Sequence, residues 1–192
     1  MRNFLTLLQE VKNCTLCENL PLGPKPILQI SPSAKILIVG QAPGHKTHYQ
    51  GMPFTDQSGI RLREWLGINL HTFYDPSQIA ILPMGFCFPG TGASGDLPPR
   101  KECARHWRDK LLRQLTQIEF TIIIGQYAID WHLGNQQKEN LTRTVLAWRE
   151  YWPKCVVLPH PSPRNNRWFK ANPWFFQEII PNLQRRVKEL IK

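Results

Sequence analysis

Four short apolar runs recur along the chain, each closed by a turn residue: residues 35–40 (KILIVG), 78–82 (QIAIL), 119–125 (EFTIIIG) and 155–159 (CVVLP). They are continuous rather than alternating, the pattern of strands buried on both faces of a parallel sheet. Between them the period changes. Residues 3–12 put Phe4, Leu7, Leu8 and Val11 on one helical face. SGIRLREWLG, residues 100–115 and residues 126–150 also read as helices, the last broken near Gly134 and Asn135. The tail from Asn172 reads as a final helix interrupted or kinked at Pro181. Residues 41–56, the run of Gly and Pro after the second strand, and HPSPRNNRW read as loops.

Strands alternating with helices predict an α/β class: a three-layer α/β/α sandwich around a short central four-stranded parallel sheet. The 192 residues fit a single domain spanning 1–192. In such sheets ligands bind beyond the carboxyl ends of the strands. Those ends carry GQAPG, PMGFC, GQYA and HPSPRN, so the glycine-rich and polar segments converge on one edge.

Composition narrows the partner. Twenty-four basic against 14 acidic residues give a net charge of +10, which favours a polyanion, nucleic acid first and an anionic membrane second. No apolar run approaches a membrane span, and the start MRNFLTLLQEVKNC lacks the layout of a signal peptide. We therefore read the chain as a cytoplasmic monomer with no membrane partner. In a reducing compartment its cysteines are ligands or free thiols rather than disulfides. Most of the seven tryptophans read as packing residues, though aromatics beside Arg and Lys also suit stacking on bases.

Gly40, Gln41, Ala42, Pro43 and Gly44 make a tight turn out of the first strand, where small residues let backbone approach a ligand. Gly51-Met52-Pro53-Phe54 follows, then Gly59, and the last strand leads into His160-Pro161-Ser162. In order and spacing these segments resemble the motif blocks of the thermostable-type (family 4) uracil-DNA glycosylases. LPLGP and HPSPRNNRW resemble uncharacterised glycosylase-like relatives of that type.

The resemblance implies a function: flipping uracil or another deaminated base out of DNA and hydrolysing its N-glycosidic bond in base excision repair. Phe54 would stack on the base, with residues 40 and 42–44 around it. His160 would donate a hydrogen bond to the departing base. Ser162, Pro163 and Arg164 would pinch the DNA backbone and fill the gap, with Asn165 and Arg167 adding phosphate contacts. Two positions depart from the pattern. Gln41, which could orient water but cannot act as a base, and Ala42 stand where related families carry Glu or Asp, and Pro83 stands where an Asn reads uracil. Asp56 is the nearest acidic candidate for handling water, and it is equally placed to cap the following helix. A non-catalytic DNA-binding or damage-sensing role is the alternative.

Cys14 and Cys17 are two residues apart, and Cys103 follows Cys87 by 16 positions. With the family's spacing behind them, these four imply a 4Fe-4S cluster of structural role. A four-cysteine zinc site and unligated thiols remain open. Cys155 lies in the last strand and reads as buried.

Overall fold

The structure, a computed structural model, describes residues 3–93 and 95–191. Six strands form: β1 (Ile36–Val39), β2 (Ile79–Ile81), β3 (Thr91–Gly92), β4 (Gly95–Asp96), β5 (Phe120–Ile124) and β6 (Cys155–Leu158). β2, β1, β5 and β6, in that order, make the four-stranded sheet, parallel throughout. Ile36 of β1 faces Ile79 of β2 on one side and Phe120 of β5 on the other. Nearly every strand residue is buried, because helices cover both faces of the sheet. The four predicted strands and the three-layer class are all present.

The strand order reverses beside β1, whose chain neighbour lies on one side and β5 on the other. That reversal opens a crevice at the carboxyl ends of the strands. Helices of the expected type surround it. Asn3 caps Phe4–Lys12 by accepting from the Leu5 amide at 3.2 Å, and Leu7 and Val11 turn inward. Gln57–Leu66 buries Leu62, Trp65 and Leu66. The C-terminal helix Ile180–Leu190 buries Leu183, Val187 and Leu190. Trp65 meets Phe175 edge-on at 5.0 Å, and Trp107 and Trp148 are also buried, so these tryptophans pack rather than face a ligand.

Several segments differ from their sequence reading. Residues 41–56 contain a helix, His45–Gln50, ended by Gly51 in the left-handed conformation. The Gly/Pro run after β2 contains the β3–β4 hairpin. HPSPRNNRW does not stay a loop: Pro163–Asn165 forms a 3₁₀ turn and Asn166–Ala171 a helix. Residues 126–150 resolve into four short pieces rather than two. Pro181 sits in the first turn of its helix, where a missing N–H breaks no hydrogen bond, and a π turn (Phe175–Ile179) precedes it. Cys155 is half-buried, because it is the first residue of β6 rather than an interior one. Among the described residues no helix is long and apolar enough to cross a membrane.

Candidate active site

The segments leaving β1, β2 and β6 enclose a cavity of about 100 Å³. Gly40, Gln41, Ala42, Pro43 and Gly44 line it together with Phe54, Pro83 and His160. That volume is well below the roughly 300–1,000 Å³ of a drug-sized ligand pocket and suits a single planar ring. The cavity opens into a wider groove of about 500 Å³ bordered by Lys46, Ser162, Arg164 and Asn165. Gln41, Asp56, Asp96 and His160 belong to both spaces and so stand at the junction.

Phe54 reaches the cavity through an unusual backbone. Its φ is 55°, in the left-handed region, which costs a non-glycine residue on the order of 1–3 kcal/mol. The surroundings hold it there. Its carbonyl accepts from Arg63 Nη1 at 3.1 Å and from the Tyr74 hydroxyl at 3.2 Å. Burial pushes the Tyr74 phenol up from its ordinary value, so it remains a donor. The Phe54 ring leans edge-on against Phe73 at 6.2 Å. Its tip closes on Gly40, where a Cβ would already be 3.4 Å from Phe54 Cζ.

His160 follows β6, and its own loop fixes its ring. The Ser162 amide donates to His160 Nδ1 at 3.2 Å, and Asn165 Nδ2 donates to the His160 carbonyl at 2.7 Å. Burial lowers the ring's pKa, with the nearby carboxylates of Asp56 and Asp96 pulling the other way. The imidazole is therefore neutral at neutral pH. With Nδ1 an acceptor, Nε2 carries the proton. Among the described residues Nε2 has no protein hydrogen-bond partner, so the cavity holds a donor of fixed tautomer.

The polar groups beside it divide their work. Gln41 Nε2 donates to the Leu97 carbonyl at 3.0 Å, so this side chain tethers the β3–β4 hairpin. Asp56 caps Gln57–Leu66 by accepting from the Gly59 amide at 3.2 Å, and it lines the cavity as well. The amides of Ala42 and Gly44 pair with no protein acceptor among the described residues, so the turn offers backbone donors. Pro83 does line the cavity and offers no side-chain donor; its carbonyl accepts from Arg108 Nη1 at 3.0 Å.

The HPSPRN loop is only partly turned to the groove. Ser162, Pro163, Arg164 and Asn165 all border it. Ser162 Oγ accepts from the Arg164 amide at 3.2 Å, and the Asn165 amide group is spent on the His160 carbonyl, so both shape the loop. Arg167 is exposed on Asn166–Ala171 and does not line the groove. Lys46 does, and sequence reasoning missed it because its segment reads as a loop.

Cys14, Cys17, Cys87 and Cys103 come together around a second, small cavity on the other side of the β2–hairpin segment. All four are free of disulfides. Burial pushes the Cys87 thiol up to about 11 and the Cys103 thiol up to about 12. Trp107 Nε1 donates to Cys14 Sγ at 3.1 Å, a contact that suits a sulfur bearing negative charge. Among the described residues no three of His, Cys, Asp or Glu are drawn closely enough to hold a metal ion as they stand.

Arg108, read only as part of a helix, is fully buried, and among the described residues no carboxylate pairs with it. Its Nη1 donates to the Leu82 and Pro83 carbonyls, both at 3.0 Å, and Nη2 lies 2.7 Å from His132 Nε2. Burial lowers the guanidinium to about 10 and the imidazole to about 4, leaving His132 the acceptor. The residue sits at the end of a π turn (Ala104–Arg108) that follows Cys103. Only a buried environment distinguishes it from any other helical arginine.

The sheet, the crevice and the cavity between two strand-end motifs agree with a comparison to known families. The family model described as the uracil DNA glycosylase superfamily matches residues 28–184, which takes in β1 through the start of the C-terminal helix. The match spans far more than half of the chain and includes Phe54, Asp56, Asp96 and His160, so the chain belongs to the uracil DNA glycosylase superfamily.

Proposed function

We propose that the protein is a DNA glycosylase that takes uracil or another deaminated base out of the duplex and hydrolyses its N-glycosidic bond. One observation carries this reading. An aromatic ring, Phe54, and a neutral histidine whose proton is fixed on Nε2 line a single cavity of base size. Extruding a base costs a few kcal/mol of unstacking. Stacking on Phe54 would return about 1–3 kcal/mol. His160 Nε2 would donate to the base carbonyl as charge builds on it, and a preorganised donor of this kind acts on the transition state. The free amides of Ala42 and Gly44 would serve the base edge in place of a side chain at Pro83. Lys46, Ser162 and Arg164 would meet backbone phosphates, which position without reading sequence.

Within the superfamily we place the chain nearest the family 4 type, with a cluster on Cys14, Cys17, Cys87 and Cys103. The donor set fits: four sulfurs surround one cavity, and one already accepts an N–H. Such a group would tie the N-terminal segment to the hairpin segment rather than act on the base.

The test is base release. Duplex and single-stranded oligonucleotides carrying uracil, hypoxanthine or xanthine are incubated with folded, metal-loaded protein, and abasic sites are cleaved with alkali. Strand breaks that disappear in His160→Ala are expected. No breaks for any base would overturn the reading. Gln41, committed to the Leu97 carbonyl, and Ala42 supply no carboxylate, which favours a second reading: lesion binding without cleavage. That reading predicts salt-dependent binding with no base release.

A further inference from the structure

Hydrolysis of a nucleoside bond leaves positive charge on the sugar and needs a water held on its open face. The first turn, with Gln41 and Ala42, carries no carboxylate for either task. The fold supplies one from elsewhere. Asp96 ends the β3–β4 hairpin and lines both the base cavity and the outer groove. Its carboxylate lies over the first turn: a Cβ on Gly44 would be 3.1 Å from Asp96 Oδ2.

The hairpin is closed on itself and fastened at two points. Gln41 holds the Leu97 carbonyl at 3.0 Å, the Leu97 amide donates to the Gly90 carbonyl at 2.8 Å, and Arg164 packs against Gly95. Two carboxylates therefore face the histidine, Asp56 and Asp96, and they are not equivalent. Asp56 Oδ1 is spent on the Gly59 amide, which holds this carboxylate as the cap of a helix. No hydrogen bond to the protein engages the Asp96 side chain among the described residues. Asp96 is also exposed at the mouth, whereas the base cavity is walled by Phe54 and Gly40. A base seated against those walls leaves its sugar at the mouth.

We propose that Asp96 is the catalytic carboxylate of this site, an inference that rests on the glycosylase reading above. In the step, the C1′–N bond breaks and its electron pair leaves on the base, facing His160. A water oxygen then bonds to C1′. Asp96 offsets the sugar's positive charge and takes the proton released by the water, which passes to solvent. The base anion gains a proton from solvent, and the products are the free base and an abasic sugar.

Two measurements test this separately. The first needs no turnover. Binding is compared for duplexes carrying a cationic pyrrolidine abasic mimic or the neutral tetrahydrofuran mimic. Wild type is expected to favour the cationic mimic by roughly tenfold, the scale of one charge-assisted contact, and Asp96→Asn to lose that preference. Asp96 is exposed and unbonded, so the thermal midpoint of the variant stays at the wild-type value. The second is base release, which Asp96→Asn slows by about 100-fold or more at unchanged duplex affinity. Equal binding of the two mimics by wild type, a preference retained in Asp96→Asn, or release within about twofold of wild type would each overturn the role of Asp96. A wild type that prefers the cationic mimic and releases no base would instead overturn the glycosylase reading while supporting the placement of Asp96 at the sugar.

Discussion

The carbonyl oxygen of Phe54 occupies the space where Gly59 would carry a side chain: a Cβ there would lie 1.7 Å from it. Gly59 is within a helix and has ordinary backbone angles, so its own conformation does not require glycine. Its neighbour's does. The glycine five positions after Phe54 is the space that lets Phe54 hold a left-handed backbone.

Gly59→Ala separates this account from helix propensity. Propensity alone predicts a gain of up to about 1 kcal/mol. The contact with Phe54 predicts a net loss of about 1–3 kcal/mol in chemical denaturation, with a matching loss of lesion binding as the aromatic ring is displaced.

Phe54→Ala removes the stacking surface and leaves the cavity open. Affinity for lesion-bearing duplex should fall by about 1–3 kcal/mol, with little change for undamaged duplex. Competition binding with the two duplexes reads the difference directly.

Lys46→Ala and Arg164→Ala test the groove. Each should weaken binding to all sequences alike and reduce the slope of log affinity against log salt by about 1. Arg167→Ala, whose side chain lies outside the groove, should leave that slope at the wild-type value.

The Arg108–His132 pair makes stability depend on pH. His132 is held at about 4 against an ordinary 6.5, so the unfolded chain binds its proton first. Stability is full above about 6.5 and is lost as pH falls from there towards about 4, by on the order of 3 kcal/mol from this residue. His160, also lowered by burial, adds in the same direction. In His132→Gln the amide oxygen still accepts from Arg108 but does not titrate, so denaturation midpoints should fall less steeply over that range.

Protein purified without oxygen should show broad visible absorbance with iron and sulfide, and Cys87→Ser or Cys103→Ser should lose it. Unliganded, these thiols stay protonated to about 11 and about 12, so loading releases protons and retention weakens as pH falls. Stoichiometric zinc would overturn the iron assignment.

The strands were legible because burial on both faces leaves an unbroken apolar run, as in Ile122, Ile123 and Ile124. His45–Gln50 and the β3–β4 hairpin were not, because such short elements carry no period and are fixed by contacts from outside, such as that of Gln41 on Leu97. The site followed the same division. Phe54 and His160 stand in motifs that follow strands and were visible there. Asp96 lies in a run of Gly and Pro, and its place beside the cavity arises only when the hairpin folds back over Gly44. Asn165 borders the groove as its motif suggests, while its bond to the His160 carbonyl is visible only in the folded loop.

Arg108 joins two places that otherwise share no side chain. Its guanidinium grips the carbonyls at the end of β2, one of them on the wall of the base cavity, while its own segment continues from Cys103. The shape of the cavity thereby depends on how the cysteine segment is seated. A disturbance at the four sulfurs would therefore reach the cavity wall through this one buried side chain.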